Sequence, residues 1–283
     1  MIKDVLVFGD SFMYGQETNY TKFVNNKDFH TQFKQATGAD FVFVTEAKDS
    51  GRVRMKYNHD WYKFLETLDP DVKENCNSNS IGNVLADKLN VSCTNLAMCG
   101  SSNNFILYKV IDNLSKINKD SLVICGLTSL TRKSLYQNKF DTNSAFITNL
   151  NPHIQQHKDL EKYQLLDLEI GNDYTALILE TFAYMKAIVQ MVEQQQAKVV
   201  FIDTFNVFDN IKDQVDVEYK HNHILDKINK YTEPTMAPSI SNTFESIDNR
   251  KLYRYCPGGH YSSEVYQEYV NSQLIPYLEN TNV

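Results

Sequence analysis

Three short segments carry residue types that could do chemistry together. Val7-Phe8-Gly9-Asp10-Ser11-Phe12 is an apolar run that turns sharply to present a serine. At the C-terminal edge of a sheet, such a serine can serve as a nucleophile, its own backbone N–H facing the same space. It can equally cap the next helix. Asn95-Leu96-Ala97-Met98-Cys99-Gly100-Ser101-Ser102-Asn103 places a glycine at a strand-to-helix turn. There the backbone can approach a ligand closely and aim its N–H at a developing oxyanion, or simply make a tight turn. Cys256-Pro257-Gly258-Gly259-His260-Tyr261-Ser262 places a histidine in a glycine-rich loop near the end of the chain. That loop can reach back to the edge of the first strand, or leave His260 exposed to solvent.

The elements that must position these segments read as alternating strands and helices. Residues 3–8, 121–125 and 198–202 are short runs rich in Val, Ile, Leu and Phe, as core strands of a parallel sheet should be, and 91–96 reads as a further core strand. Asn77-Ser78-Asn79-Ser80 offers cap chemistry for a helix over about 81–89. Ser101-Ser102 can cap a helix to about residue 118, with Ile106, Val110, Leu114 and Ile117 on one face. A long helix spans about 173–196, with Ile178, Phe182, Met185, Val189 and Val192 aligned. A last amphipathic helix covers 263–278, with Tyr266, Val270, Leu274 and Tyr277 sharing a face. This pattern predicts an α/β, doubly wound parallel sheet. Three polar stretches, about 12–80, 131–171 and 205–250, read as insertions at the active-site edge of a single domain over 1–283. The third holds a helical piece near 218–230.

Composition narrows the function classes. Hydrophobic residues are 42%, enough to bury a core, so the chain is not a disordered tail. The net charge of −7 disfavours a general nucleic-acid binder, which needs a Lys/Arg surplus to neutralise phosphates. No apolar run approaches the length of a membrane-spanning helix, and the N-terminus does not read as a signal peptide. The expectation is a cytoplasmic location, or a virion if phage-encoded, with no membrane partner. The five cysteines are odd in number and lack a CxxC pair, which predicts reduced thiols. His153/His157 and His221/His223 have metal-pair spacing without a third ligand, so no metal is expected. The absence of GxxxxGK[ST] and GxGxxG motifs removes support for a nucleotide-using enzyme.

In this order and on these elements, the segments resemble the SGNH/GDSL hydrolase family. Gly-Asp-Ser-Phe-x-x-Gly-x-Glu (Gly9 to Glu17), Asn-Leu-Ala-x-x-Gly-Ser-Ser-Asn (Asn95 to Asn103) and Thr128-Ser129-x-x-Arg132 look like an uncharacterised phage and marine-bacterial branch. The resemblance covers the core elements and not the three insertions. It implies a flavodoxin-like sheet and serine-based acyl transfer without a cofactor. Ser11 would be the nucleophile and His260 the base. The N–H groups of Ser11 and Gly100 would form two-thirds of the oxyanion hole.

Two departures from the family pattern stand out. The family's Gly-x-Asn-Asp block reads Gly126-Leu127-Thr128-Ser129 here, leaving the third oxyanion donor to Thr128, or to Asn103 or Asn104. The family's aspartate three residues before the histidine is Pro257, so His260 must be oriented by Asp203, by backbone carbonyls of the 255–259 loop, or by nothing. Arg132 could bind a substrate carboxylate or phosphate, or form a surface ion pair. Asp10 is expected to fix its own loop, its side chain pointing away from Ser11. The implied activity is ester hydrolysis through a Ser-His dyad on an O-acylated carbohydrate or a small polar ester. The alternatives are a weak or silent module that binds a glycan or protein partner, and an acyltransferase using the same dyad. Oligomeric state is not legible from the sequence.

Overall fold

The computed structural model describes residues 2–15, 18, 27–37, 77–130, 132–136, 147–150, 174–204, 236–240 and 261–282. Strand β1 (Asp4–Phe8) leads into a one-turn helix, α1 (Ser11–Tyr14), followed by α2 (Lys27–Thr37) and α3 (Ile81–Leu89). Then come β2 (Ser92–Asn95), α4 (Asn103–Asp112), β3 (Ser121–Leu127), β4 (Lys133–Tyr136) and β5 (Ile147–Leu150). The chain continues with α5 (Tyr174–Gln194), β6 (Lys198–Asp203), β7 (Met236–Ala237), α6 (Ser263–Tyr269) and α7 (Ile275–Asn280).

Among the described residues, five strands form one sheet in the order β2-β1-β3-β6-β7, every neighbouring pair parallel. Counted within that sheet the order is 2-1-3-4-5, that of flavodoxin-like, doubly wound α/β proteins. In such sheets ligands bind at the carboxyl ends of the strands where the winding reverses, here between β1 and β3.

The side-chain period of two sorts the strands into two cores. Val5, Val7, Leu122, Ile124, Val200 and Ile202 face α3 and the C-terminal helices. Leu6, Phe8, Val123, Cys125, Val199 and Phe201 face α4 and α5. All seven residues of β3 are buried, because it is the middle strand with helices on both faces.

Several expectations need adjustment. The run at 91–96, expected as a core strand, forms β2 at the edge of the sheet among the described residues, where its residues are exposed or half-buried. The strand at 121–125 continues two residues further, because Gly126 and Leu127 pair with Ile202 and Asp203. Within 12–80 the polar sequence hid α2, and within 205–250 it hid the two-residue edge strand β7. The 131–171 stretch contains an antiparallel pair, β4 with β5, outside the main sheet. The predicted helix to residue 118 ends at Asp112 and gives way to a 3-10 turn, Leu114–Lys116. The helical piece at 218–230 falls outside the described residues.

The last helix is the most instructive difference. Between α6 and α7 runs a π-helical turn, Val270–Leu274, directly ahead of Pro276, which has no N–H to donate. A π turn takes an extra residue, so the apolar stripe shifts by one. Tyr266, Val270, Leu274 and Leu278 are buried, while Tyr277 is only half-buried.

Candidate active site

Ser11 is the first residue of α1 and is buried, at the C-terminal end of β1 beside the winding reversal. The capping residue of α1 is Asp10, not Ser11: its carboxylate accepts a hydrogen bond from the Phe12 N–H at 3.0 Å. The turn is pressed tightly onto the sheet by Met13. A Cβ on Gly9 would lie 2.4 Å from Met13 Cγ, and one on Gly126 would lie 2.0 Å from the same atom. These two glycines let α1 sit over the ends of β1 and β3.

The second loop is stitched to the first. Leu96 N–H donates to Val7 O at 2.7 Å and Met98 N–H to Gly9 O at 3.0 Å, continuing the ladder beyond β2. Asn95 then reaches across: its Nδ2 donates to Met13 O at 3.1 Å, while its Oδ1 accepts from Ala97 N–H at 3.0 Å. Gly100 adopts a left-handed backbone, φ 82°, that a side chain would strain. Among the described residues the Gly100 N–H donates no hydrogen bond.

Thr128, just past the end of β3, is a junction. Asn103 holds its main chain from both sides: Thr128 N–H donates to Asn103 Oδ1 at 2.9 Å, and Asn103 Nδ2 donates to Thr128 O at 3.1 Å. The Thr128 hydroxyl donates to Asp10 Oδ2 at 3.0 Å and accepts from Arg132 Nη1 at 2.8 Å. The same Nη1 forms an ion pair with Asp10 Oδ2 at 2.7 Å. The Asp10 side chain is wholly buried, and that of Arg132 is 19% exposed.

The candidate residues that fall within the described segments can therefore be placed. Asp10, Ser11, Asn103, Thr128 and Arg132 converge around the carboxyl ends of β1 and β3. The only proton of the Thr128 hydroxyl goes to Asp10, and not to the space beside Ser11 where an oxyanion donor would act. Asn103 commits its amide to the Thr128 main chain and to Thr181 Oγ1, 3.4 Å away. Arg132 pairs through Nη1 with the buried Asp10 carboxylate and not with a surface partner. Asp203 is buried at the end of β6, in register with Leu127 and two strands from β1, roughly 10 Å at ordinary strand spacing. Burial pushes the Tyr269 phenol above its usual range, with smaller contributions from Tyr277 and the Asp203 charge. That phenol donates to Pro238 O at 2.7 Å.

His260 and Pro257 fall outside the described residues. So do Cys76, Cys256 and the paired histidines His153/His157 and His221/His223. Tyr261, the next residue after His260, is described. Its ring packs edge-on against Phe12, centroids 5.1 Å apart, and the Tyr266 hydroxyl donates to Phe12 O at 2.7 Å. Two residues to which the sequence assigned no site role thus hold the serine turn: Asn95 at the end of β2 and Tyr266 on the C-terminal helix. A polar residue closing a strand and a tyrosine on a helix's apolar face were the available signals.

No protein-family model and no curated protein matches the sequence. Among solved structures, the chain is similar to a protein from Desulfitobacterium hafniense DCB-2 described as lipolytic and of the G-D-S-L family. That match has 11% identity, covers 99% of both chains and has a TM-score of 0.42. It is also similar to a carbohydrate esterase whose active site is described as having divergent catalytic and non-catalytic binding functions. There the identity is 12% and the TM-score 0.47, covering 98% of this chain and 65% of the other. The α/β fold class follows from the strand order itself.

Proposed function

We infer that this chain is a serine-dependent acyl hydrolase of the SGNH type, with Ser11 as nucleophile and His260 as base. The observation that carries the reading is the position of Ser11. It opens a helix at the reversal point of a 2-1-3-4-5 sheet, beside a loop whose Gly100 N–H makes no hydrogen bond among the described residues. The contact of Tyr261 with Phe12 supports it further, because consecutive Cα atoms lie only about 3.8 Å apart and His260 precedes Tyr261.

In this reading Ser11 Oγ attacks the acyl carbon while His260 takes its proton. The N–H groups of Ser11 and Gly100 receive the oxyanion. His260 then protonates the departing alcohol, and water attacks the acyl-enzyme by the reverse sequence. With the Thr128 proton committed to Asp10, the hole has two main-chain donors. Loss of a third donor costs about 10²–10³ in rate, so turnover is expected to be modest. The substrate class is an O-acylated carbohydrate or another small polar ester. Much faster turnover of long-chain esters than of acetyl esters would overturn that preference.

The test is intact-mass analysis after treatment with a fluorophosphonate. One adduct on the wild type, absent from Ser11→Ala and His260→Ala, is the expected result. A folded wild type that forms no adduct overturns the hydrolase reading in favour of a module that binds a glycan or protein partner.

A further inference from the structure

We propose that Arg132 and Thr128 act with Asp10 as a positioning clamp that sets the orientation of the nucleophile turn. The inference rests on reading Ser11 as the nucleophile, but its structural basis is separate. Asp10 immediately precedes Ser11, and its carboxylate has no access to solvent. It must therefore be neutralised and hydrogen-bonded from within. Oδ1 takes the Phe12 N–H, and Oδ2 takes both the Thr128 hydroxyl and Arg132 Nη1. Both ligands of Oδ2 come from the segment after β3, more than a hundred residues away in sequence.

Thr128 is in turn gripped by Asn103, which belongs to the helix after the Gly100 loop. One residue thus ties together the three loops at the reversal point. These are the loop with Ser11, the loop with Gly100, and the segment leading to β4. The relative placement of the nucleophile and the Gly100 N–H is set through this junction. An alignment error of about 1 Å in such a pair can cost on the order of 10²-fold in rate. Arg132 is accordingly a positioning residue. It acts through Asp10 and need not touch substrate.

Two readouts on the full-length chain test this. The first is hydrogen exchange of peptides spanning residues 8–14, which does not depend on catalysis. In Arg132→Met the buried Asp10 carboxylate loses the Arg132 ion pair, and exchange at the Phe12 amide should accelerate. In Asp10→Asn/Arg132→Met, where no buried charge remains, protection should largely return. That double variant also keeps the test open if Arg132→Met fails to fold. The second readout is the rate at which a neutral fluorophosphonate labels the folded protein. It should fall by roughly 10–100-fold in Arg132→Met and Thr128→Val. It should recover in Thr128→Ser, which keeps the hydroxyl, and partly in the Asp10→Asn/Arg132→Met variant. Labelling and exchange at wild-type levels in Arg132→Met would overturn the clamp. If the wild type itself is not labelled, the hydrolase reading fails and exchange alone decides whether the clamp holds the turn.

Discussion

At the scale of single residues, burial decides which groups are available for chemistry. Cys93 is half-buried, and burial, with the nearby Asp87 charge, pushes its thiol up to about 12. Burial pushes the Cys125 thiol up further, whereas Cys99 is exposed. Thiolate is the reactive form, so of these three Cys99 should alkylate first with iodoacetamide under native conditions. Peptide mapping checks the order; early loss of Cys125 would mean that β3 is not the buried strand described. A second residue-scale prediction concerns pH. Lys3 Nζ lies 2.6 Å from Asp120 Oδ2. The hydrogen bond from Lys3 holds the Asp120 carboxyl below its usual value, and that same bond to Asp120 holds the Lys3 ammonium above its own. The carboxyl's contribution is present above the ordinary carboxylate range and lost as pH falls through its lowered value. The lysine's contribution is present below the ordinary lysine range and lost as pH rises through its raised value. Asp120→Asn should flatten the acid limb of a pH–stability curve slightly, and salt should weaken the difference, because the Lys3 ammonium is exposed to solvent.

At the scale of elements, α1 is held by close approach as much as by hydrogen bonds. A Cβ at Gly126 would meet both Cγ and Sδ of Met13. Gly126→Ala should therefore destabilise the fold by about 1–3 kcal/mol through overpacking. Because the severe overlap is with Met13, with Thr204 Cγ2 at a tight 3.2 Å, Gly126→Ala and Met13→Ala should be clearly non-additive. Denaturant unfolding of the two single variants and the double variant measures this, and simple additivity would contradict the packing described. The N-terminus of α6 behaves oppositely. Ser262 occupies the cap position without making a cap bond, and its buried hydroxyl has no partner among the described residues. An unsatisfied hydroxyl costs stability, so Ser262→Ala should leave the melting temperature unchanged or raise it. A loss would mean that the hydroxyl has a partner.

At the scale of the whole molecule, the chain's two ends meet at the site. Tyr266 donates to Phe12 O across 254 positions of sequence, and Tyr261 stacks edge-on against the Phe12 ring. The last helix thus helps to hold the serine turn as well as filling the core beneath it. Tyr266→Phe should cost about 0.5–1.5 kcal/mol by denaturant unfolding. It should also slow fluorophosphonate labelling of the folded protein, because the residue after Ser11 loses its tether to the C-terminal helix. No helix among the described residues is long and apolar enough to cross a membrane.

What the sequence determined by itself was local. The apolar runs of β1, β3 and β6 could only be strands buried on both faces, because each is short, continuous and bounded by turn residues. Gly9-Asp10-Ser11 read as a sharp turn at the end of such a strand and Gly100 as a turn glycine, whose left-handed backbone only the structure showed. Helical periodicity alone places Ile178, Phe182, Met185, Val189 and Val192 on one face; all are buried except Phe182, which is partly buried and packs against the same core. What the tertiary structure decided was everything set by distant partners. β2 and β7 became edge strands through pairing order, which hydrophobicity does not encode. The π turn before Pro276 shifted a stripe by one residue. Above all, Thr128, Asn103 and Arg132 were legible as polar residues near a strand end but not as a clamp on Asp10. Their hydrogen bonds join segments 25 to 122 positions apart. Such bonds exist only once strand register brings their ends together.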